Sequence, residues 1–210
     1  MSDRRSFLAA ALVSAAVFFV APGTGQTAGT EETARKFVAS LADKAIQALT
    51  RQEVPRRERI NRFRSLFNEN FAVADIGKWI LGRYWRRATE TERDEYLTLF
   101  EDLMVVSYVN RFTEYAGEKL TITKTLPAGD SAAIVFSEII RPTGGPPVRV
   151  NWRVGVKGED YKIVDVIVEG TSMSTTLRSD FGSIIRRSGG KVAGLIDELR
   201  KKTQHLKKTL

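Results

Sequence analysis

The chain of 210 residues has no cysteine and a single histidine, His205. The missing thiols exclude disulfide staples, thiol nucleophiles and thiolate metal sites. One histidine in a charged stretch near the C-terminus leaves little for a zinc or other transition-metal centre, so none is expected. No phosphate-binding G-x-x-x-x-G-K-[ST] loop, G-x-S-x-G elbow, H-E-x-x-H pair or dinucleotide fingerprint occurs. Without a nucleophile–base pair or a cofactor motif, a binding protein is expected rather than an enzyme. Long hydrophobic runs are scarce too. The longest, Phe7 to Val20, has 14 residues and is broken only by Ser14. A membrane-spanning helix takes about 20.

That run follows Met1-Ser2-Asp3-Arg4-Arg5, and the two together read as a secretory signal. Arg4-Arg5-Ser6-Phe7-Leu8 is similar to a twin-arginine export signal. Cleavage is expected between residues 22 and 30, which gives a signal peptide over 1–28 and one domain over 29–210. With no cysteine after the run, a lipoprotein anchor is excluded. The chain carries 33 basic and 25 acidic residues, a net charge of +8. Export to the periplasm argues against nucleic acid as the partner and toward lipid head groups and acidic protein surfaces.

Residues 21–30 are rich in Gly, Thr and Ala and read as disordered. A helix is expected from Thr30, with Phe37, Leu41, Ala45 and Leu49 on one face. Pro55 restarts the chain, and Ile60, Phe63, Phe67 and Phe71 recur at helical spacing. Val73 to Leu81 is a short segment leading into Gly82-Arg83-Tyr84-Trp85-Arg86-Arg87. Thr89 and Glu92 form a capping box for a long helix to about Tyr115, with Gly117 as its C-cap. The middle of that helix is apolar nearly all round, as in a helix buried on most sides or lining a cavity.

Four strands are expected at about 120–126, 131–141, 147–156 and 160–169, joined by short turns into an antiparallel meander. Val148, Val150, Trp152, Val154 and Val156 alternate with Arg149, Asn151, Arg153 and Gly155. After Ser172 the chain turns helical. Val192, Leu195, Ile196, Leu199 and Leu206 mark a final amphipathic helix, with Asp197–Lys201 and Glu198–Lys202 as i,i+4 pairs. The expected architecture is α+β: N-terminal helices and a C-terminal helix packed on a curved four-stranded antiparallel sheet, enclosing an apolar cavity.

The cavity is expected from a surplus of apolar positions. Trp79, Tyr84, Trp85, Tyr96, Phe100, Tyr108, Phe112 and Tyr115 crowd the central helices, joined by Leu103 and Met104. Val150, Trp152, Val154, Val166 and Val168 supply a sheet face. For any one of these the plainer role is core filling. Asp165, Glu169 and Arg178 are the best charged cluster. Two strand positions four apart share a face about 13 Å apart, too wide for paired carboxylate chemistry. Either these acids pair with Arg178 or cap the turn after Gly170, or Arg178 holds a lipid phosphate. Arg83, Arg86 and Arg87 around Tyr84 and Trp85, with Lys201, Lys202, Lys207 and Lys208, form basic surface that is either merely solvated or steers docking.

Tyr161-Lys162, Asp165-Val166, Glu169-Gly170, Ser172 and Arg178-Ser179…Phe181 together resemble a signature of the MlaC, or toluene-tolerance, family of periplasmic phospholipid-binding proteins. Trp85, Ala88-Thr89, Glu92-Arg93, Tyr96 and Phe100, then Tyr108 and Tyr115-Ala116-Gly117, continue the resemblance over roughly residues 30–200. Tyr161, where Trp is commoner, and Thr171, where a larger apolar residue is frequent, depart from it.

The resemblance implies a monomeric periplasmic carrier with no cofactor. It would shuttle phospholipid between an outer-membrane lipoprotein-type complex and an inner-membrane ABC-transporter-type complex, maintaining outer-membrane asymmetry. Trp79, Tyr84, Trp85, Phe100, Leu103, Met104, Tyr108, Phe112, Val150, Trp152, Val154, Val166, Val168 and Arg178 are the expected lipid contacts. A hopanoid ligand and a peptide-binding or chaperone module are the alternatives.

Overall fold

The computed structural model describes residues 25–112, 114–157 and 160–209. The alternating segments form strands β1 (Lys119–Pro127), β2 (Ala132–Ile140), β3 (Val148–Lys157) and β4 (Asp160–Val168). They pair antiparallel in sequence order. A fifth strand, β5 (Thr171–Ser172), corrects the expected count of four. It pairs with Ile167 and Val168 across Glu169–Gly170. Both turn residues have positive φ, +49° and +81°, as a two-residue hairpin turn requires. Glu169 is therefore a turn residue, not a strand residue.

Register shifts between Ile122 and Lys124, and opposite Arg153–Val154, interrupt the ladders. Such bulges bend strands and sharpen their twist, and so curve the sheet. The free edge of β4 is covered by Phe71 and Ala72. Phe71 bridges Ile163, and the Ala72 N–H donates to the Ile163 carbonyl at 3.0 Å.

Among the described residues six α-helices accompany the sheet: α1 (Gly25–Leu49), α2 (Arg56–Asn70), α3 (Val73–Leu81), α4 (Glu90–Tyr108), α5 (Met173–Arg187) and α6 (Val192–Thr209). α1 starts at Gly25, so residues 25–30 are helical where composition suggested disorder. Once Ala34 and Val38 anchor the helix on the sheet, extending it adds one hydrogen bond per residue without a new nucleus. The signal-like segment 1–24 lies outside the described residues, and among those described no helix is long and apolar enough to cross a membrane.

The capping box is present. The Glu92 N–H donates to the Thr89 hydroxyl at 3.2 Å, and the Thr89 N–H donates to the Glu92 carboxylate at 2.9 Å. α4 ends at Tyr108, short of the expected Tyr115, and tightens into a 3₁₀ turn over Val109–Phe112. In α6 the acids choose i+3 partners. Asp197 pairs with Arg200 at 2.7 Å and Glu198 with Lys201 at 3.4 Å, in place of the i+4 lysines.

Two separate cores form. Ile80, Tyr96, Leu103, Phe181, Ile185 and Leu195 knit α3, α4, α5 and α6 together. Burying each fully is worth roughly 1.5–3 kcal/mol. Ala34 and Val38 of α1 pack on Ala133, Val135 and Val154 of the sheet in the second. At Gly77 a Cβ would meet Leu97 Cδ2 at 2.8 Å and Phe100 Cδ1 at 3.3 Å. The bare glycine lets α3 close on α4, where the Tyr96 hydroxyl donates to the Gly77 carbonyl at 2.9 Å.

A feature that periodicity does not reveal fixes the first two helices. Arg59, 7 % exposed, donates to the carbonyls of Leu49 (2.8 Å), Arg51 (3.1 Å) and Val54 (3.2 Å). One guanidinium thus binds the last carbonyl of α1 and two carbonyls of the link that follows, and it ties the α1–α2 corner together.

Candidate functional site: an apolar cavity between two cores

Between the two cores lies a cavity of about 480 Å³, within the range of roughly 300–1,000 Å³ that holds organic ligands. α1 contributes Leu41, Ala42, Ala45, Ile46 and Leu49. α2 and the link after it contribute Phe63, Leu66, Phe67 and Phe71. Phe100, Met104 and Tyr108 come from α4 and Phe112 from the turn beyond it. The sheet adds Leu120, Ile139, Trp152, Val166 and Val168, and α5 adds Met173 and Leu177. Aromatic rings run along one wall. Phe71 lies 4.9 Å from Phe67, Phe67 6.3 Å from Phe63, and Phe63 5.7 Å from Phe112.

The all-round apolarity of α4 has a simple cause: the helix has two buried faces. Phe100, Met104 and Tyr108, four apart, look into the cavity. Tyr96 and Leu103 belong to the core shared with α5 and α6. On the sheet, Trp152 stands opposite Val135 on one side and Val166 on the other. Its indole N–H donates to Ser137 Oγ at 3.0 Å, and that hydroxyl donates to the Val150 carbonyl at 2.5 Å. With its polar atom satisfied within the sheet, the ring can offer apolar surface to the void.

Seven of the fourteen expected contacts line the cavity: Phe100, Met104, Tyr108, Phe112, Trp152, Val166 and Val168. The others lie elsewhere. Tyr84 and Leu103 are buried in the helical core, and Val154 in the α1–sheet core. Val150 is buried beside Ser137. Trp85 packs against the helical core, with Arg93 5.3 Å and Lys78 6.0 Å from its ring. Trp79 is 47 % exposed. Arg178 stacks on the Trp79 ring at 4.6 Å and donates to its carbonyl at 2.6 Å, capping the C-terminus of α3.

The charged cluster does not assemble. Asp165 accepts from the Ser172 hydroxyl (2.6 Å) and from the N–H groups of Val166 (3.0 Å) and Ser174 (3.1 Å). It therefore ties β4 to the start of α5. Glu169 accepts from the Arg149 N–H, a bond that, with the adjacent guanidinium at 2.9 Å, holds its carboxyl below the usual range.

Sequence reasoning missed the α1 and α2 wall as cavity lining, although the spacing of Leu41, Ala45 and Leu49 and of Phe63 and Phe67 had marked both faces as buried. It also missed two charged lining residues, Arg111 and Glu118, while Tyr115, one of the aromatic residues from which the cavity was expected, does line it. Burial pushes the Tyr108 phenol up, and the neighbouring Arg111 charge partly offsets this.

A half-buried ion network ties three helices. Arg64 of α2 reaches Glu101 and, at 2.6 Å, Asp102 of α4, and Lys207 of α6 reaches Asp102 at 2.6 Å. Burial alone would raise the Asp102 carboxyl. Lys207 and Arg64 outweigh it and hold the group below the usual carboxylate range.

Comparison with known proteins gives a consistent answer. The family described as MlaC protein matches residues 39–201. The Haemophilus influenzae intermembrane phospholipid transport system binding protein MlaC is 26 % identical over 116 residues. That alignment spans 54 % of each chain, so this chain covers about half the length of the curated relative it matches. A phospholipid-binding protein from Ralstonia solanacearum, solved in complex with a phospholipid, shares the fold at a TM-score of 0.71 and 20 % identity. The match covers 82 % of this chain and 98 % of that one. The family match takes in well over half of the sequence: this chain belongs to the MlaC family.

Proposed function

We propose that the protein binds a diacyl phospholipid in the cavity and carries it through the periplasm between membrane complexes. The observation that supports this most is the cavity itself: about 480 Å³, walled by helices and one face of the sheet and lined almost wholly by apolar side chains. Each acyl CH₂ withdrawn from water gains about 0.8 kcal/mol. The competitor is the bilayer, which offers nearly the same gain. A carrier therefore needs a cavity about as good as a membrane interior, and no reacting group. The names of the relatives, a transport-system binding protein and a protein solved with phospholipid, support the same ligand.

The seven expected residues that line the cavity, with the α1 and α2 wall, are the proposed acyl contacts. Arg83, Arg86, Arg87 and Arg178, at the opposite end of α4 from Tyr108, are the proposed docking surface. No carboxylate pairs with any of them among the described residues. The test is native mass spectrometry of gently purified protein with lipid analysis of an organic extract. A mass increment matching a diacyl phospholipid is expected. A bare polypeptide mass and a lipid-free extract would overturn the assignment.

A further inference from the structure

Among the described residues three charged side chains line the cavity: Arg111, Glu118 and Asp165. Asp165 is occupied by its three donors within the fold. The other two differ from it. They flank the short connection between α4 and β1, at the rim, where Arg111 and Tyr108 are exposed. Arg111 has no hydrogen-bond or ion-pair partner among the described residues. By contrast Arg59, Arg62, Arg64, Arg149, Arg178 and Arg200 all have one. An exposed arginine that also lines an apolar cavity stands at an apolar–aqueous boundary, where the stem usually lies on apolar surface and the head stays in water.

Glu118 is held in place. The Ala116 N–H donates to one carboxylate oxygen at 2.8 Å, and the Tyr115 hydroxyl donates to the Glu118 carbonyl at 3.0 Å. Its second carboxylate oxygen has no donor among the described residues. The rim therefore presents one unpaired guanidinium and one half-occupied carboxylate, on a connection pinned by its own hydrogen bonds.

A diacyl lipid with its tails in the cavity must leave its phosphodiester at this boundary. A planar guanidinium matches phosphate oxygens, and a carboxylate on the same cavity lining matches a cation a few bonds further out. We propose that Arg111 and Glu118 form a headgroup site that favours zwitterionic, ammonium-bearing phospholipids, Arg111 taking the phosphodiester and Glu118 the ammonium. This rests on the phospholipid reading above and adds a headgroup selectivity to it. An anionic headgroup without an ammonium satisfies Arg111 but sets its remaining polar groups against Glu118. A diacylglycerol satisfies neither.

The test loads the purified protein from vesicles holding equal amounts of phosphatidylethanolamine, phosphatidylglycerol and diacylglycerol with identical acyl chains. Bound lipid is then quantified by mass spectrometry. Partly exposed charge contacts predict a preference of about two- to fivefold for phosphatidylethanolamine over phosphatidylglycerol, and for both over diacylglycerol. Glu118→Gln keeps an acceptor for the Ala116 N–H and should bring the first ratio to about one. Arg111→Ala should lower both phospholipids relative to diacylglycerol. Loading in proportion to vesicle composition overturns the headgroup site while leaving the cavity reading intact. An unchanged ratio in Glu118→Gln, or an unchanged phospholipid share in Arg111→Ala, does the same. Failure of the wild type to load any of the three lipids overturns the cavity reading and this inference with it.

Discussion

Val166→Asp tests the cavity at a point where the outcome can be worked through. Val166 lies on β4 opposite Trp152 and lines the void. In the empty protein an introduced carboxylate can be reached by water entering the cavity, so the fold should persist. In the loaded protein an acyl chain displaces that water and the charge must be neutralised or buried. Neutralising a carboxyl of ordinary pKa near 3.9 at pH 7 costs about 4 kcal/mol, at about 1.4 kcal/mol per pH unit. Leaving the neutral acid without a partner adds roughly 1–3 kcal/mol. Phospholipid affinity should therefore fall by about a thousandfold or more.

The same reasoning predicts how affinity returns. Each unit of pH below 7 reduces the cost by about 1.4 kcal/mol, so affinity should recover about tenfold per unit down to near pH 5. Val166→Asn, polar but not titratable, should show a deficit without that slope. The assay is displacement of a fluorescent phospholipid across pH, with circular dichroism to confirm folding. A folded Val166→Asp variant that loads like wild type at pH 7 would refute the assignment of this face. So would a deficit as flat with pH as that of the Asn variant.

Two further expectations concern the framework. Arg59→Ala removes a donor from three carbonyls at the α1–α2 corner, of which only that of Arg51 keeps another, the Val54 N–H, and should destabilise the protein by about 3 kcal/mol, read as a lower urea midpoint; a loss under 1 kcal/mol would show that water replaces the guanidinium. Asp102, held below the usual carboxylate range by Lys207 and Arg64, contributes stability that is present above its unfolded pKa of about 3.9 and is lost as pH falls through the lower folded value. Asp102→Asn should cost about 1 kcal/mol at pH 7 and flatten the loss of stability below about pH 4. A wild-type slope retained in the variant would assign that acid sensitivity to other carboxyls.

Much of the fold was legible because it is written in short-range chemistry. Alternation placed the four long strands to within about two residues. Thr89 and Glu92 announced the start of α4. Local signals failed where the deciding partner was distant in sequence. α1 begins earlier than its composition suggested because it propagates outward from a segment packed on the sheet. β5 was too short to show a period. α4 stops at Tyr108, though its apolar pattern and Gly117 pointed to a later end.

For the site, the division is sharper. The sequence by itself determined that α4 and one sheet face are apolar beyond what exposure to water tolerates, and that no nucleophile–base or metal motif accompanies them. Periodicity reports which side chains leave water, not what they meet there. Only the tertiary structure decided that Met104 and Tyr108 line a void, which Phe100 reaches from the helical core, while Leu103, next to Met104, is buried in that core alone. It alone sent Arg178 to the end of α3 and left Arg111 unpaired at the rim. The physical reason is that transfer from water is nearly the same for a side chain entering a packed core or an apolar cavity, so composition is blind to the difference. Whether space remains depends on how two cores, assembled from segments a hundred residues apart, are held from closing on each other.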